Sequence, residues 1–208
     1  GCVALMGASG SGKTSVLKLA AQLLTPTAGR VSGGGRISMQ FQEPRLLPWR
    51  NAAENVNLVL SDTAKTLPES LTWLTSVDLR DAAGLYPDEL SGGMAQRVAL
   101  VRTLINEPEI LLLDEPLGAL DEFTRMNMQD EILNIWAQKK QLALMVTHSI
   151  DEAVYMGTRV LVMESNPGRI VADIRIDEDF PRDRSSASFV EYRNEILNRL
   201  HFGGKKTE

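Results

Sequence analysis

The fold of this chain is decided by eight residues, Gly7-Ala8-Ser9-Gly10-Ser11-Gly12-Lys13-Thr14, which fit the pattern G-x-x-x-x-G-K-[ST]. Before them, the apolar residues 2–6 predict a buried strand; after them, apolar residues at helical spacing predict a helix that ends near Pro26. A strand, a glycine-rich loop and a helix in this order bind phosphate, because backbone N–H groups and the helix N-terminus face the phosphate oxygens. In such a loop Lys13 would lie between the terminal phosphates, and the Thr14 hydroxyl would bind Mg²⁺.

The composition is that of a globular domain that can bury a sizeable core. The chain has 208 residues, of which 43% are hydrophobic and 24% charged, with a net charge of −5. A negative balance provides no basic surface for nucleic acid or for an anionic membrane. No apolar run approaches the length of about 18 residues that a membrane-spanning helix needs. Cys2 is the single cysteine, so no intrachain disulfide can form, which suits a reducing compartment.

Two carboxylates follow the continuous apolar run at residues 110–113, which predicts a strand buried on both faces. Asp114 and Glu115 would then lie at the carboxyl end of that strand. Beside a phosphate-binding loop, one such carboxylate can hold Mg²⁺ through water, and the next can act as general base toward an attacking water. The alternative is the solvated start of a loop without a chemical role. We predict the catalytic arrangement.

Gln42 and His148 also follow predicted strands, at residues 36–41 and 142–146. Ligands of open α/β sheets bind outside the carboxyl ends of the strands. Both side chains would therefore lie near the terminal phosphate of a bound nucleotide. An isolated histidine is more often structural, but this position favours a functional role.

Residues 51–106 show helical spacing of apolar residues and no strand-like run, which predicts a helical insertion within the α/β domain. The insertion ends with the stretch Leu90-Ser91-Gly92-Gly93-Met94-Ala95-Gln96-Arg97. Ser91 suits a helix N-cap, and the two following glycines mark either a capped helix start or a second anion-binding site. Asp121, at the start of the next predicted helix, is a second N-cap candidate.

The loop at residues 44–50 combines two prolines with three large apolar residues, Leu46, Leu47 and Trp49. Prolines interrupt regular structure, and apolar side chains on a loop are unfavourable when water covers them. Either the loop folds back onto its own core, or it docks a partner. The residues alone leave both possibilities open.

Taken in order, these motifs resemble those of the ATP-binding cassette (ABC) ATPases, from about residue 1 to residue 163. The most specific feature is the Leu-Ser-Gly-Gly signature upstream of the strand that carries Asp114 and Glu115. A closer resemblance covers nearly the whole chain and points to the nitrate, sulfonate and taurine import group. It rests on FQEPRLLPW at residues 41–49, GMAQR at residues 93–97 and NPGRI at residues 166–170.

The resemblance implies an α/β P-loop NTPase fold with a RecA-like core at residues 1–44 and 106–165. Residues 45–105 would form a helical subdomain with the signature, residues 166–202 a C-terminal hairpin and helix, and residues 203–208 a tail. The family places an aromatic residue, which stacks on adenine, on a small antiparallel sheet upstream of the phosphate-binding loop. This sequence contains no such segment, so we expect that N-terminal antiparallel sheet to be incomplete.

The resemblance also implies roles for the motif residues. The ATP phosphates would be bound by Gly7, Ala8, Ser9, Gly10, Ser11, Gly12, Lys13 and Thr14. The catalytic base would be Glu115, with Lys13, Gln42 and His148 as further catalytic residues. Mg²⁺ would be held by Thr14, Gln42 and Asp114. The ATP of a second copy would be capped by Ser91, Gly92 and Gly93, and Asp121 would line the dimer seam.

The implied function is ATP hydrolysis that powers uptake of a small anion such as a sulfonate, taurine or nitrate. The implied partners are a second copy, two integral-membrane permease subunits that dock near Trp49, and indirectly a solute-binding protein. The chain would be cytoplasmic and peripheral on the inner face of a bacterial plasma membrane. A non-transport ABC ATPase of repair or translation would bring basic surfaces or long insertions, and neither is visible. A hydrolysis-deficient module fits the missing aromatic segment but not the intact Glu115 and His148.

Overall fold

One sheet organises the part of the chain that the structure describes. A computed structural model describes residues 1–60, 66–139 and 141–202. Its strands are β1 (Cys2–Gly7), β2 (Ile37–Gln40), β3 (Ile110–Asp114), β4 (Leu142–Val146), β5 (Arg159–Glu164) and β6 (Arg169–Arg175). The strand order is β2-β3-β4-β1-β5-β6, and every pairing is parallel except the β5–β6 hairpin. The predicted α/β class and the predicted hairpin are therefore confirmed.

Seven α-helices accompany the described strands. They are α1 (Lys13–Ala20), α2 (Ala52–Asn57), α3 (Thr66–Ser76), α4 (Gly92–Leu104), α5 (Glu122–Lys139), α6 (Ile150–Met156) and α7 (Ala187–Phe202), with a 3₁₀ turn at Arg80–Ala82. Within residues 45–60 and 66–105 every regular element is helical, as predicted. The predicted tail, residues 203–208, lies outside the described residues. No described helix is both long enough and apolar enough to cross a membrane.

Alternation along β1 divides the core into two layers. Leu5 packs with Leu17 of α1 and with Leu112 of β3. Ala4 and Met6 belong to a separate, larger cluster to which α4, α5, α6 and α7 contribute. Because successive strand side chains point to opposite faces, α1 covers one face of the sheet, and the helices that contribute to the larger cluster lie on the opposite side.

The first helix ends earlier than its apolar pattern predicts. It stops at Ala20, because Gln22 adopts a left-handed conformation with φ 58°. The amide of Leu23 then donates to the carbonyl of Lys18 at 2.8 Å, and the amide of Gln22 donates to that of Leu19 at 3.0 Å. These two bonds form a Schellman motif, which satisfies the last carbonyls of the helix. The prediction of a helix to Pro26 was wrong.

Four neighbouring parallel strands end at the same edge of the sheet. In the order β2, β3, β4 and β1, their carboxyl ends lead to Gln42, to Asp114 and Glu115, to His148, and to the phosphate-binding loop. The ladder fixes their relative height, since Asp114 pairs with Val146, and Val146 with Leu5. Residues that are about 100 positions apart in sequence thus meet at one edge.

Candidate functional site

A cleft of about 380 Å³ lies at this edge of the sheet. It is lined by Ser9, Gly10, Gly12, Lys13, Thr14, Ser15, Gln42, Glu115 and His148. The structure therefore brings the loop and the predicted catalytic side chains into one cavity. Ser15 also lines it, although the sequence analysis gave that residue no role.

The loop wraps closely around the Lys13 side chain. Lys13 Nζ donates hydrogen bonds to the carbonyl oxygens of Gly7 at 2.9 Å and Ala8 at 2.8 Å. Gly10 and Gly12 have φ of 78° and 96°, which only glycine adopts without strain. At Gly7 a Cβ would collide with the carbonyl oxygen of Met163, so a side chain is excluded there. This curled backbone leaves the ammonium group in the cleft.

The environment of Lys13 favours a strong interaction with anions. The side chain is buried, and this burial lowers the pKa of its ammonium group, an effect that the nearby Glu115 and Asp114 charges oppose. A buried cation whose hydrogen bonds go to carbonyl oxygens gains from a ligand that brings full negative charge. The loop therefore provides a charged donor for a phosphate.

Thr14 and Asp114 form the oxygen pair expected for Mg²⁺. The Thr14 hydroxyl donates to Asp114 Oδ1 at 3.4 Å, and Asp114 is buried. Among the described residues no group of three or more His, Cys, Asp or Glu side chains could hold a metal by itself. Mg²⁺ usually takes only one or two protein ligands together with substrate phosphates, so this pair fits the ion. The third predicted ligand, Gln42, directs its amide nitrogen to Glu115 instead, which leaves only its carbonyl oxygen for a metal.

The Glu115 carboxylate is the centre of the polar network. Its Oε1 lies 2.6 Å from His148 Nε2, and its Oε2 accepts a hydrogen bond from Gln42 Nε2 at 3.1 Å. Glu115 has φ 50°, a left-handed conformation that is uncommon for a residue with a side chain. Such strain concentrates at functional sites when the surroundings over-determine the backbone.

Hydrogen bonds on both sides hold the strained backbone of Glu115. Its amide donates to the carbonyl of Val146 at 2.9 Å. Its carbonyl accepts from Gln96 Nε2 at 3.2 Å and from the Gly118 amide at 3.3 Å. Gln96 lies within the signature stretch, where its sequence position alone does not predict this contact.

The signature residues and Asp121 lie outside this cleft. The Ser91 hydroxyl accepts a hydrogen bond from the Met94 amide at 3.2 Å and thereby caps α4, as predicted. Ser91 and Gly92 are exposed, and apart from its chain neighbours and the backbone of its own helix, no described residue has an atom within 4 Å of a Cβ placed at Gly92. Asp121 Oδ1 accepts from the Thr124 amide at 3.0 Å, and this backbone hydrogen bond lowers the pKa of the exposed Asp121 carboxyl.

A buried acid lies behind the Glu115–His148 pair. The Thr147 hydroxyl donates to Glu152 Oε2, and burial raises the pKa of the Glu152 carboxyl. These two residues line a second cleft of about 340 Å³, which shares Glu115 and His148 with the first. The sequence signal for this acid was the pattern Ser149-x-x-Glu152, which is typical of a capping box. Only half of the box forms, because the Ser149 amide donates to Thr147 Oγ1 at 3.1 Å instead.

Side chains of α2 and α4 hold the backbone of the loop at residues 44–50, whereas Trp49 of the loop is exposed. The fully buried Asn55 bonds the amide of Leu47 at 2.7 Å and the carbonyl of Arg50 at 2.9 Å. Arg102 of α4 donates to the carbonyls of Pro44 at 2.7 Å and Arg45 at 3.0 Å. Trp49 nevertheless remains 68% exposed. Leu46 packs on the core, so one part of the loop folds back and Trp49 faces outward.

Comparison with known proteins identifies the family. A family model described as ABC transporter matches residues 1–118. The chain is 48% identical over 201 residues to the aliphatic sulfonates import ATP-binding protein SsuB 1 of Shouchella clausii, covering 96% of this chain and 80% of the relative. It is 44% identical over 210 residues to an uncharacterized ABC transporter ATP-binding protein of Methanocaldococcus jannaschii, covering 94% of this chain and 78% of that one.

A solved structure supports the same assignment. The ATP-binding cassette MJ0796, described as a dimer in a post-hydrolysis state bound to ADP and Pi, superposes with a TM-score of 0.77 at 28% identity. The match covers 85% of this chain and 86% of that chain. Sequence and fold agree over most of both proteins. The chain belongs to the ABC transporter family and has the fold of its ATP-binding cassettes.

Proposed function

We propose that this chain is the ATP-binding and ATP-hydrolysing subunit of an importer for a small anionic solute such as an aliphatic sulfonate. The observation that carries the proposal is the Glu115 carboxylate, shared by Gln42 and His148 at the mouth of the phosphate-binding loop. Relatives at 41% to 48% identity are named as aliphatic sulfonates import ATP-binding proteins, which supports both the transport role and the solute class.

ATP binding would begin at the loop. Lys13 Nζ exchanges the carbonyl oxygens of Gly7 and Ala8 for the terminal phosphate oxygens, a stronger charge-assisted pairing. The loop amides and the N-terminus of α1 add donors and a positive partial charge. The residues of the loop that bind the phosphates are Gly7, Ala8, Ser9, Gly10, Ser11, Gly12, Lys13 and Thr14.

The metal ligands of the site would be Thr14, Asp114 and the carbonyl oxygen of Gln42. The hydroxyl and carboxylate of the first two already lie together at 3.4 Å. When bound there, Mg²⁺ neutralises charge on the transferred phosphoryl group. Asp114 is buried at the end of β3, so its carboxylate gains from any cation that reaches it.

Hydrolysis would use Glu115 as general base. Its carboxylate accepts a proton from water as the water oxygen attacks the γ-phosphorus, and the bond to the bridging oxygen breaks to give ADP and phosphate. His148, which contacts Glu115 Oε1, positions the water and the γ-phosphate. Gln42 leaves Glu115 Oε2 when the nucleotide arrives, so the base becomes available only in the loaded site.

Two copies would act together, head to tail. Ser91, Gly92 and Gly93 of one copy cap the ATP that the loop of the other copy holds, and Asp121 lines the seam. The exposed signature turn and the open space around Gly92 support this arrangement. The core then comprises residues 1–44 and 106–165, the helical subdomain residues 45–105, and the C-terminal hairpin and helix residues 166–202.

The membrane partners would be two permease subunits that dock at the loop of residues 44–50. Trp49 is exposed while Asn55 and Arg102 fix the loop, so a rigid apolar anchor faces outward. The chain would therefore act at the cytoplasmic face of the plasma membrane, and a solute-binding protein would deliver the solute from the other side.

The decisive experiment is Glu115→Gln in the transporter assembled with its permease. General-base loss should lower ATP turnover by about 100-fold or more. The variant should still bind ATP and trap a stable dimer, because glutamine keeps the shape of the side chain. Wild-type turnover that does not depend on Glu115 would contradict the proposal. Uptake of radiolabelled taurine, alkanesulfonate and nitrate then separates the candidate solutes.

A further inference from the structure

We infer that Gln96 is a positioning residue that couples the signature turn of α4 to the catalytic base of its own chain. The inference rests on the proposed function, because it gives Glu115 and the signature turn their roles. Gln96 lies in α4 with only 3% of its surface exposed, and its Nε2 donates to the backbone carbonyl of Glu115 at 3.2 Å. A buried amide that loses such an acceptor pays a full desolvation cost, so the contact resists breaking.

The contact acts on the carbonyl side of the Glu115 backbone. Glu115 has φ 50°, and among the hydrogen bonds of the described residues its carbonyl also accepts one from the Gly118 amide at 3.3 Å. Rotation of this residue about its backbone would swing the carboxylate away from His148 and Gln42. A misplacement of about 1 Å can cost about 100-fold in rate. Gln96 therefore helps to fix the direction of the base.

The N-terminal part of α4 also contacts the segment from Glu115 to Leu120 at a second point, near Gly93. A Cβ placed at Gly93 would lie 3.1 Å from Leu120 Cδ2 and 3.6 Å from the Ala119 carbonyl oxygen. Gly93 and Gln96 are three residues apart, so they lie on the same side of the helix. The first two turns of α4 thus contact both ends of the segment from Glu115 to Leu120.

In the proposed dimer, the N-terminus of α4 and the Gln96 side chain face different ATP molecules. The exposed Ser91 and Gly92 face the ATP held by the partner, whereas Gln96 faces the base that acts on the ATP of its own chain. Their separation along the helix is only about 6–8 Å at 1.5 Å per residue. A shift of the helix N-terminus when the second ATP binds is therefore transmitted to Glu115. Hydrolysis at one site then depends on occupancy of the other.

The test compares two buried glutamines in the assembled transporter. Gln141 is 5% exposed and donates through Nε2 to the Pro108 carbonyl at 2.8 Å, far from the cleft, so Gln141→Met is the matched control. Gln96→Met should lower kcat about 10-fold, with KM for ATP changed less than about twofold. Its Hill coefficient for ATP should fall toward about one, because the sites no longer communicate. Gln141→Met should leave all three values unchanged.

Gln96→His, which keeps an N–H donor, should restore most of kcat and the Hill coefficient, and it keeps the test decisive if the methionine variant folds poorly. Wild-type kinetics in Gln96→Met, or equal losses in Gln96→Met and Gln141→Met, would overturn the coupling role alone. Turnover by the wild type that is independent of Glu115 would instead overturn the proposed function. The two failures are therefore distinguishable.

Discussion

The phosphate-binding edge of the sheet and the signature turn of α4 differ in how their polar groups are satisfied. At the sheet edge, Lys13, Glu115 and His148 all have partners within the chain. At the signature turn, the Ser91 hydroxyl caps its own helix, and the exposed Gly92 has open space around it on the side of the described residues. Both regions are glycine-containing helix starts that resemble anion sites in sequence.

The difference shows which half of a composite site a single chain can build. The sheet edge is preorganised, because four strand ends hold its residues at a fixed height and hydrogen bonds within the chain orient them. The signature turn presents exposed surface at Ser91 and Gly92, which becomes useful only when another surface arrives. We therefore expect variants in the two regions to separate nucleotide binding from turnover.

The largest effects should come from one substitution at the sheet edge and one at the signature turn. Lys13→Ala removes a charge-assisted phosphate contact and should weaken ATP binding by the isolated chain about 10- to 100-fold. Ser91→Arg should leave that binding within about twofold, yet lower turnover of the assembled transporter at least about 30-fold by blocking the dimer. Titration with a fluorescent ATP analogue and a phosphate-release assay measure the two effects.

The Ser91→Arg variant also removes a helix cap, so a control is needed. Asn51 caps α2 through a full capping box, and Asn51→Ala should cost about 1 kcal/mol of stability, similar to the loss at Ser91. If Asn51→Ala reduces turnover as much as Ser91→Arg does, the signature turn has no special role. Weaker ATP binding by the isolated Ser91→Arg chain would also contradict the comparison.

A second exposed region extends the comparison to the membrane partner. Trp49→Asp should reduce solute uptake about 10-fold or more, since an apolar anchor of an interface typically contributes at least about 2 kcal/mol. ATP binding and the melting temperature of the isolated chain should not change, because the side chain is 68% exposed. Uptake into proteoliposomes and co-purification with the permease measure the effect, and normal values for both would exclude a docking role.

The smallest expected effect concerns Glu152, the buried acid behind the phosphate-binding edge of the sheet. Burial raises the pKa of Glu152, so between its ordinary and its raised pKa the folded state binds more protons than the unfolded state. The stability of the wild type should then fall as pH rises through this window. Glutamine stays neutral, so Glu152→Gln should melt a few degrees higher than the wild type at about pH 8, and the gap should close toward about pH 4.

Thermal unfolding at several pH values tests this sign. Glu191 is an exposed carboxylate, so Glu191→Gln is a control that should show no such gap. The groups that act on Glu152 through charge or hydrogen bonds are Thr147, Arg125, Gln129 and Glu115. A wild type that equals or exceeds Glu152→Gln in stability at high pH would mean that Arg125 and the hydrogen bonds outweigh the burial.

The sequence predicted that Lys13, Thr14, Gln42, Glu115 and His148 lie together in the cleft, because each one follows a strand or opens a helix. It failed where a side chain had to choose between partners. Ser149 and Glu152 fit the spacing of a capping box, but the Thr147 hydroxyl binds the Glu152 carboxylate instead. The apolar pattern predicted that α1 extends to Pro26. The left-handed conformation of Gln22 ends the helix earlier, and Leu23 remains 57% exposed. The spacing of apolar residues therefore does not predict where a helix ends.

The sequence by itself determined the phosphate-binding loop, the order of strands and helices, and the residue types at the strand ends. Those features are local, since they follow from glycine geometry, from periodicity and from motif spacing. Only the tertiary structure decided that Gln42 and His148 share the carboxylate of Glu115, and that Gln96 holds its carbonyl. These contacts join segments far apart in the chain, and strand order and helix packing bring them together.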